Sequence, residues 1–245
     1  MKCIIALCLS VFLVGDLFAQ KGIRESCAPT APIVVDGNPD EWGTEWMLDP
    51  DGKFLFNVCN DTDNLFIRIK ISDDLTQRKI ALFGMYVKLD VNGKKKGKLG
   101  LKYPVGKDAN ELKQEQPPFP QDAAGRAMAK KQLLTEVEVL ELLGLAKENI
   151  VSSRLGLMNG IEVLMVANDE GHYVYESKIP FKAFRIDKTK VPILGVTIET
   201  GKMSPPKTPA APQSAGRQGG FTPNNYGQYS PMMVQEYMWA GVKLK

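Results

Sequence analysis

One histidine, His172, is all that the 245-residue chain carries. A His-rich metal cluster, or a mechanism that needs two imidazoles, is thereby excluded within one chain. Charge of one sign is not in excess either. The 31 Lys+Arg against 28 Asp+Glu leave a formal net charge of +3, without the basic surplus on which nucleic-acid binding rests. No apolar run approaches the roughly 20 residues that a membrane-spanning helix needs. Gly-x-Ser-x-Gly, His-Glu-x-x-His, Cys-x-x-Cys, phosphate-cradling glycine loops and the dinucleotide fingerprint are all missing. No catalytic residue is assigned, although a carboxylate pair that meets only in space stays open. With 44% hydrophobic and 24% charged residues, the composition is that of a folded chain rather than a collagenous or disordered one.

What is present begins with an address. Lys2 precedes an uncharged, mostly apolar run from Cys3 to Gly15, and Ala19 offers a small residue at a cut site. This pattern reads as a secretory signal peptide over residues 1–19. The expected destination is the periplasm, the outer membrane or the extracellular space, with residues 20–245 forming one domain. Export leaves two of the four cysteines, Cys27 and Cys59. In an oxidising compartment they can form one disulfide, the alternative being two inert buried thiols.

Strand patterns dominate the remainder. Ile33-Val34-Val35 ends in the turn cluster Asp36-Gly37-Asn38-Pro39. Phe54 to Cys59 and Leu65 to Ile71 alternate on either side of the polar turn Asn60 to Asn64, which predicts a hairpin. Met85 to Val91 runs into Asn92-Gly93, a strong hairpin signal, and Leu99 to Tyr103 returns. Lys94, Lys95, Lys96 and Lys98 read as the solvated tip of that hairpin. From Ala123 to Lys147 leucines recur at helical spacing, predicting one amphipathic helix. Ile161 to Val166, Tyr173 to Ser177, Val191 to Thr200 and Val234 to Lys245 complete the strands. The window 201–231 is rich in Pro and Gly, without Val, Ile, Leu or an acidic residue. It reads as a disordered loop insertion. The expected fold is all-β: an antiparallel, jelly-roll-like β-sandwich with one helix and a long loop.

Two kinds of side chain could carry function. Trp42, Trp46 and Trp239 are the three tryptophans of the chain. Aromatic faces of this kind stack on pyranose rings, which makes Trp46 and Trp239 candidates, while Trp42 reads as a core plug. Asp61 with Asp63, and Asp73 with Asp74, could offer oxygen ligands to calcium. The same residues make turns without any metal.

Three segments together resemble carbohydrate-binding module family nine. Ile33-Val34-Val35-Asp36-Gly37-Asn38-Pro39-Asp40-Glu41-Trp42 resembles the family's opening strand, Asp-Gly turn, acidic pair and Trp. Asn60-Asp61-Thr62-Asp63-Asn64-Leu65-Phe66-Ile67 is similar to its second hairpin. Gly171-His172-Tyr173-Val174-Tyr175-Glu176-Ser177-Lys178-Ile179-Pro180-Phe181 resembles its Gly-Tyr-x-x-Glu-x-x-Ile-Pro-Trp segment. The resemblance implies a non-catalytic module that binds an oligo- or polysaccharide, in some members by clamping the sugar between two tryptophans with calcium nearby. Trp239 matches the aromatic before the family's last strand. Trp46 and Tyr103 are the candidate clamp partners by elimination. The chain looks like a secreted bacterial stand-alone relative. An alternative reading is a cell-envelope assembly protein that holds a protein partner through Phe221, Tyr226 and Tyr229 of the 201–231 loop.

Overall fold

Leu65, Ile67, Ile69 and Ile71 lie on one side of a single strand and are all essentially inaccessible to solvent. Alternation of this kind places one face of a strand in a core, and it recurs through the chain. The computed structural model describes residues 23–43, 45–107, 120, 122–135, 139–145, 150–203 and 230–245. The expected leader, 1–19, and most of the 201–231 window lie outside the described residues, as do Phe221, Tyr226 and Tyr229.

In chain order the strands are β1 (Ile23–Glu25), β2 (Met47–Leu48), β3 (Leu55–Asn60) and β4 (Asn64–Ile71). After helix α1 (Asp74–Phe83) come β5 (Met85–Asp90) and β6 (Leu99–Lys102). Helix α2 (Ala123–Thr135), β7 (Glu141–Leu143), β8 (Ile150–Val151) and helix α3 (Ser153–Met158) follow. The chain then forms β9 (Glu162–Ala167), β10 (Tyr173–Pro180), β11 (Leu194–Thr200) and β12 (Tyr237–Lys243). Two sheets result. One has seven strands in the order β1-β12-β11-β5-β6-β7-β8, and the other five in the order β2-β3-β4-β10-β9. All pairings within them are antiparallel except β1 with β12. The architecture is a β-sandwich. Its core lies between the sheets, with Val58, Ile67 and Tyr175 from the smaller sheet meeting Val87, Leu101 and Val196 from the larger.

Four expectations need correction. Ile33–Val35 is not a strand. It belongs to a segment that covers the outer face of the five-stranded sheet, where Ile33 and Trp42 pack on Phe66 and Cys59. That cover explains why Phe66 and Arg68, on the outward side of β4, are buried as well. Trp42 therefore plugs a small second cluster on this face rather than the core between the sheets. Second, helix α1 was missed. It is capped by Asp73, whose carboxylate accepts from Thr76 N, and ends at Gly84 (φ 85°). It buries Thr76, Gln77 and Lys79 beside Ile80 and Ala81, so a polar buried face hides its apolar period. Third, the helix expected over 123–147 stops at Thr135. Leu140 and Leu142 instead enter the core beside and within β7. Three α-helices, not one, are present among the described residues. Fourth, Asn92-Gly93 does not make a tight two-residue hairpin. The β5–β6 pairing ends at Leu89 opposite Leu99, leaving 90–98 as a longer connection.

No helix among the described residues is long and apolar enough to cross a membrane, which says nothing of strands. Cys27 and Cys59 are disulfide-bonded, tying the covering segment to β3.

Candidate functional site

The outward side of the seven-stranded sheet carries the most suggestive chemistry. On β12, β11 and β5 the inward residues Met238, Ala240, Ile198, Val196, Val87 and Leu89 fill the core. Period two then forces Tyr237 and Trp239, Thr197 and Glu199, and Tyr86 and Lys88 outward. Register sets them in rows. Trp239 pairs with Thr197, which pairs with Lys88. Tyr237 pairs with Glu199, Glu199 with Tyr86, Tyr86 with Lys102, and Lys102 with Glu141. Aromatic rings and charges thus alternate across one face. From strand spacing and rise, the Cα atoms of Trp239 and Tyr86 lie ~12 Å apart.

Tyr86 sits between two ammonium groups, with Lys88 Nζ 4.9 Å and Lys102 Nζ 5.0 Å from its ring centroid. Lys88 is also ion-paired with Glu199. Burial, then Glu141 and Glu199, push the Tyr86 phenol above its ordinary value against the pull of Lys88. Burial pushes the Lys102 ammonium down, and Glu141 opposes that shift. Half-desolvated groups of this kind hold their hydrogen-bonding directions and gain from a polar ligand that restores lost hydration.

The lysine-rich connection, expected to be a solvated tip, is folded back onto this face. The Trp239 indole N–H donates to Lys94 O at 3.1 Å, and Thr197 Oγ1 donates to Lys95 O at 3.4 Å. Gly195 permits the approach, since a Cβ there would stand 2.5 Å from Lys94 O. Thr197 is only 1% exposed as a result. Lys95 Nζ lies 5.5 Å from the Trp239 ring centroid, so half-buried Trp239 is edged by backbone and approached by a cation.

The residues expected to join Trp239 are elsewhere. Trp46 lies on the opposite outer face, its ring 4.6 Å from the buried Arg68 guanidinium, so the two tryptophans cannot clamp one sugar. Tyr103 packs against the core, and burial raises its phenol pKa. Tyr86, Tyr237, Lys88, Lys102 and Glu199 were not singled out from sequence. Alternation shows that they face outward, but only the register across β5, β11 and β12 brings them to one face.

The four candidate calcium ligands separate into two pairs at opposite ends of β4, roughly 25 Å apart by strand rise. Asp61 Oδ1 accepts from the backbone N–H groups of Asp63 and Asn64 at 2.7 and 2.6 Å. Burial opposes ionisation there, yet the hydrogen bonds from Asn64 and Asp63 and the charge of Lys188 hold the Asp61 carboxyl below its ordinary value. Asp63 borders an open cleft of about 880 Å³ with Lys178, Lys182, Asp187 and Lys188. Asp73 caps α1 and pairs with Lys53 at 3.1 Å, and Asp74 pairs with Lys130 at 2.7 Å. No group of three or more His, Cys, Asp or Glu positioned to hold a metal occurs among the described residues.

Glu176 and Arg68 are the notable buried charges, with Arg68 Nε 3.4 Å from Glu176 Oε1. Burial raises the Glu176 carboxyl pKa despite Gly37 N–H and Arg68. Both lie beneath the covering segment, where they fasten it rather than face a cavity.

The sequence matches no protein-family model and no curated protein. Among solved structures it is similar to a carbohydrate binding module family 9 from Caldicellulosiruptor kristjanssonii in complex with glucose. The identity is 10%, the match covers 91% of this chain and 95% of that chain, and the TM-score is 0.39.

Proposed function

We propose that the protein is an exported, non-catalytic saccharide-binding module that holds a sugar chain across the outer face of its seven-stranded sheet. One observation carries the reading: Trp239, Tyr237 and Tyr86 share that face, with Lys88, Lys102 and Glu199 between and beside them. Rings of this kind offer C–H faces a stacking surface, and the interleaved charges can orient hydroxyls. Trp239 retains its sequence-assigned role, while Tyr86 and Tyr237 replace Trp46 and Tyr103 as its companions. The disulfide between Cys27 and Cys59 supports export to an oxidising compartment.

The test is a glycan array followed by titration of the best oligosaccharide. Trp239→Ala and Tyr86→Ala should each weaken binding about tenfold, the scale of one aromatic contact plus its buried area. Unchanged affinity in both variants would sink the reading.

A further inference from the structure

The charge distribution of this face is lopsided, and the fold makes it so. Lys88 and Lys102 project from β5 and β6 on either side of Tyr86. The connection laid over β11 and β12 adds Lys94, Lys95, Lys96 and Lys98, all exposed. Three of these ammonium groups, those of Lys88, Lys95 and Lys102, stand at the rings of this face, and the other three are exposed on the connection. The carboxylates of the same face are Asp90, Glu141 and Glu199, the last paired with Lys88. Asp90 is already engaged by the backbone N–H groups of Asn92 and Lys94, at 2.8 and 3.2 Å. The chain as a whole is close to neutral, so the surplus is local.

The backbone of the connection is fixed at Lys94 and Lys95. Two side chains of the sheet, Trp239 and Thr197, hold the carbonyls of Lys94 and Lys95. Gly93 packs against Ile193, where a Cβ would lie 3.2 Å from its carbonyl oxygen. A mobile tip would spread its charge into solvent. This connection holds Lys95 over the indole ring on which a sugar would stack.

We infer that the ligand is an acidic polysaccharide, a sugar chain bearing carboxylate or sulfate groups. The inference rests on the saccharide-binding reading and specifies its substrate class. Stacking on Trp239 and Tyr86 supplies the sugar-directed part, and the lysines supply the part that selects charge. A neutral chain would have to displace Lys95 from the ring with nothing to receive its charge. An acidic chain receives it. Lys102, held partly out of water, gains most from an incoming anion.

The experiment measures binding of the full chain to an oligogalacturonide, a sulfated glycosaminoglycan fragment and a neutral cello-oligosaccharide, at low and at high salt. The expected result is preference for one or both acidic sugars, which distinguishes carboxylate from sulfate as the anion. Affinity should fall as salt rises. Lys95→Ala with Lys102→Ala should weaken acidic-sugar binding about fivefold, as for two exposed charge contacts, with the melting temperature retained. Trp239→Ala should weaken it as well. Equal binding of the neutral sugar, without salt dependence, overturns the acidic class and leaves saccharide binding standing. Binding of inorganic polyphosphate as tight as that of the acidic sugars, insensitive to Trp239→Ala, shows charge capture alone and overturns both. Binding of no sugar also overturns both.

Discussion

The backbone N–H of Gly37 donates to Oε2 of Glu176 at 2.8 Å, across 139 residues of sequence. Gly37 takes a φ of 85° to do so, and a Cβ there would stand 2.9 Å from a methyl of Val166. Two segments that stand out in the sequence, the Asp-Gly turn and the Tyr-x-x-Glu strand, are thus halves of one fastening. On its other side Glu176 faces Arg68, whose guanidinium carries Trp46 at 4.6 Å and Trp42 at 6.0 Å. The covering segment is held to the five-stranded sheet by this stack and by the disulfide.

Glu176→Ala should therefore destabilise the fold by about 3–5 kcal/mol, because it leaves a buried guanidinium without its counter-charge. Replacing both partners, Arg68→Met with Glu176→Leu, should recover part of that loss. Urea unfolding midpoints check both. A double-variant loss equal to the sum of the separate Arg68→Met and Glu176→Leu losses would show that the pair is not coupled.

Asp73 gives a stability that depends on pH. Burial works against its charge, yet the Thr76 hydrogen bonds and Lys53 hold its carboxyl below the ordinary value of 3.8. A depressed folded pKa contributes stability that is complete above the unfolded value and is lost as pH falls through the folded one. Asp73→Ala should cost about 1 kcal/mol at neutral pH, the worth of a helix cap. The gap to the parent should narrow below the unfolded pKa. Thermal melts across an acid series measure it, and a gap constant with pH would assign the cap no charge component.

Reduction of Cys27–Cys59 should be felt without dismantling the sheets. The bond closes a separation of 32 residues, for which loop entropy gives about 3–4 kcal/mol. Cys27→Ser with Cys59→Ser should lower the unfolding free energy by that amount, read as a lower denaturant midpoint, and a reductant should do the same to the parent. Absence of any reductant effect would show that the thiols are not paired in solution.

Legibility of the sequence followed the period of its buried side chains. β4 was readable because Leu65, Ile67, Ile69 and Ile71 alternate with polar or aromatic residues. The same holds for β10, where Tyr173, Tyr175 and Ile179 are buried. Helix α1 was not readable, since its buried positions include Gln77 and Lys79. The Gln77 side-chain N–H groups donate to carbonyls of Ile71 and Gly171, and Lys79 pairs with Glu236, contacts that exist only after folding. The site divides in the same way. Trp239 could be singled out as the one tryptophan in the final strand pattern, Val234 to Lys245. Its neighbours could not, because register across β12, β11 and β5 decides that Tyr86 and Glu199 share its face. Trp46 misled because exposure to one outer face or the other depends on where the covering segment lies.

Gly195→Ala tests whether the lysine connection is truly seated on the sheet. A Cβ at 2.5 Å from Lys94 O is closer than carbon and oxygen tolerate, and β11 is a central strand that cannot yield. The connection must lift, and with it go the bonds from Trp239 Nε1 to Lys94 O and from Thr197 Oγ1 to Lys95 O. Two hydrogen bonds at about 1 kcal/mol each set the scale, so a loss of about 1–2 kcal/mol is expected. Hydrogen exchange at the Trp239 indole should accelerate, while the backbone amides of β11 that pair with β5 should stay protected. Lifting also takes Lys95 off the ring, so Gly195→Ala should lose preference for acidic over neutral sugars while keeping the stacking surface of Trp239. Unaltered indole exchange would mean that the connection was never held there.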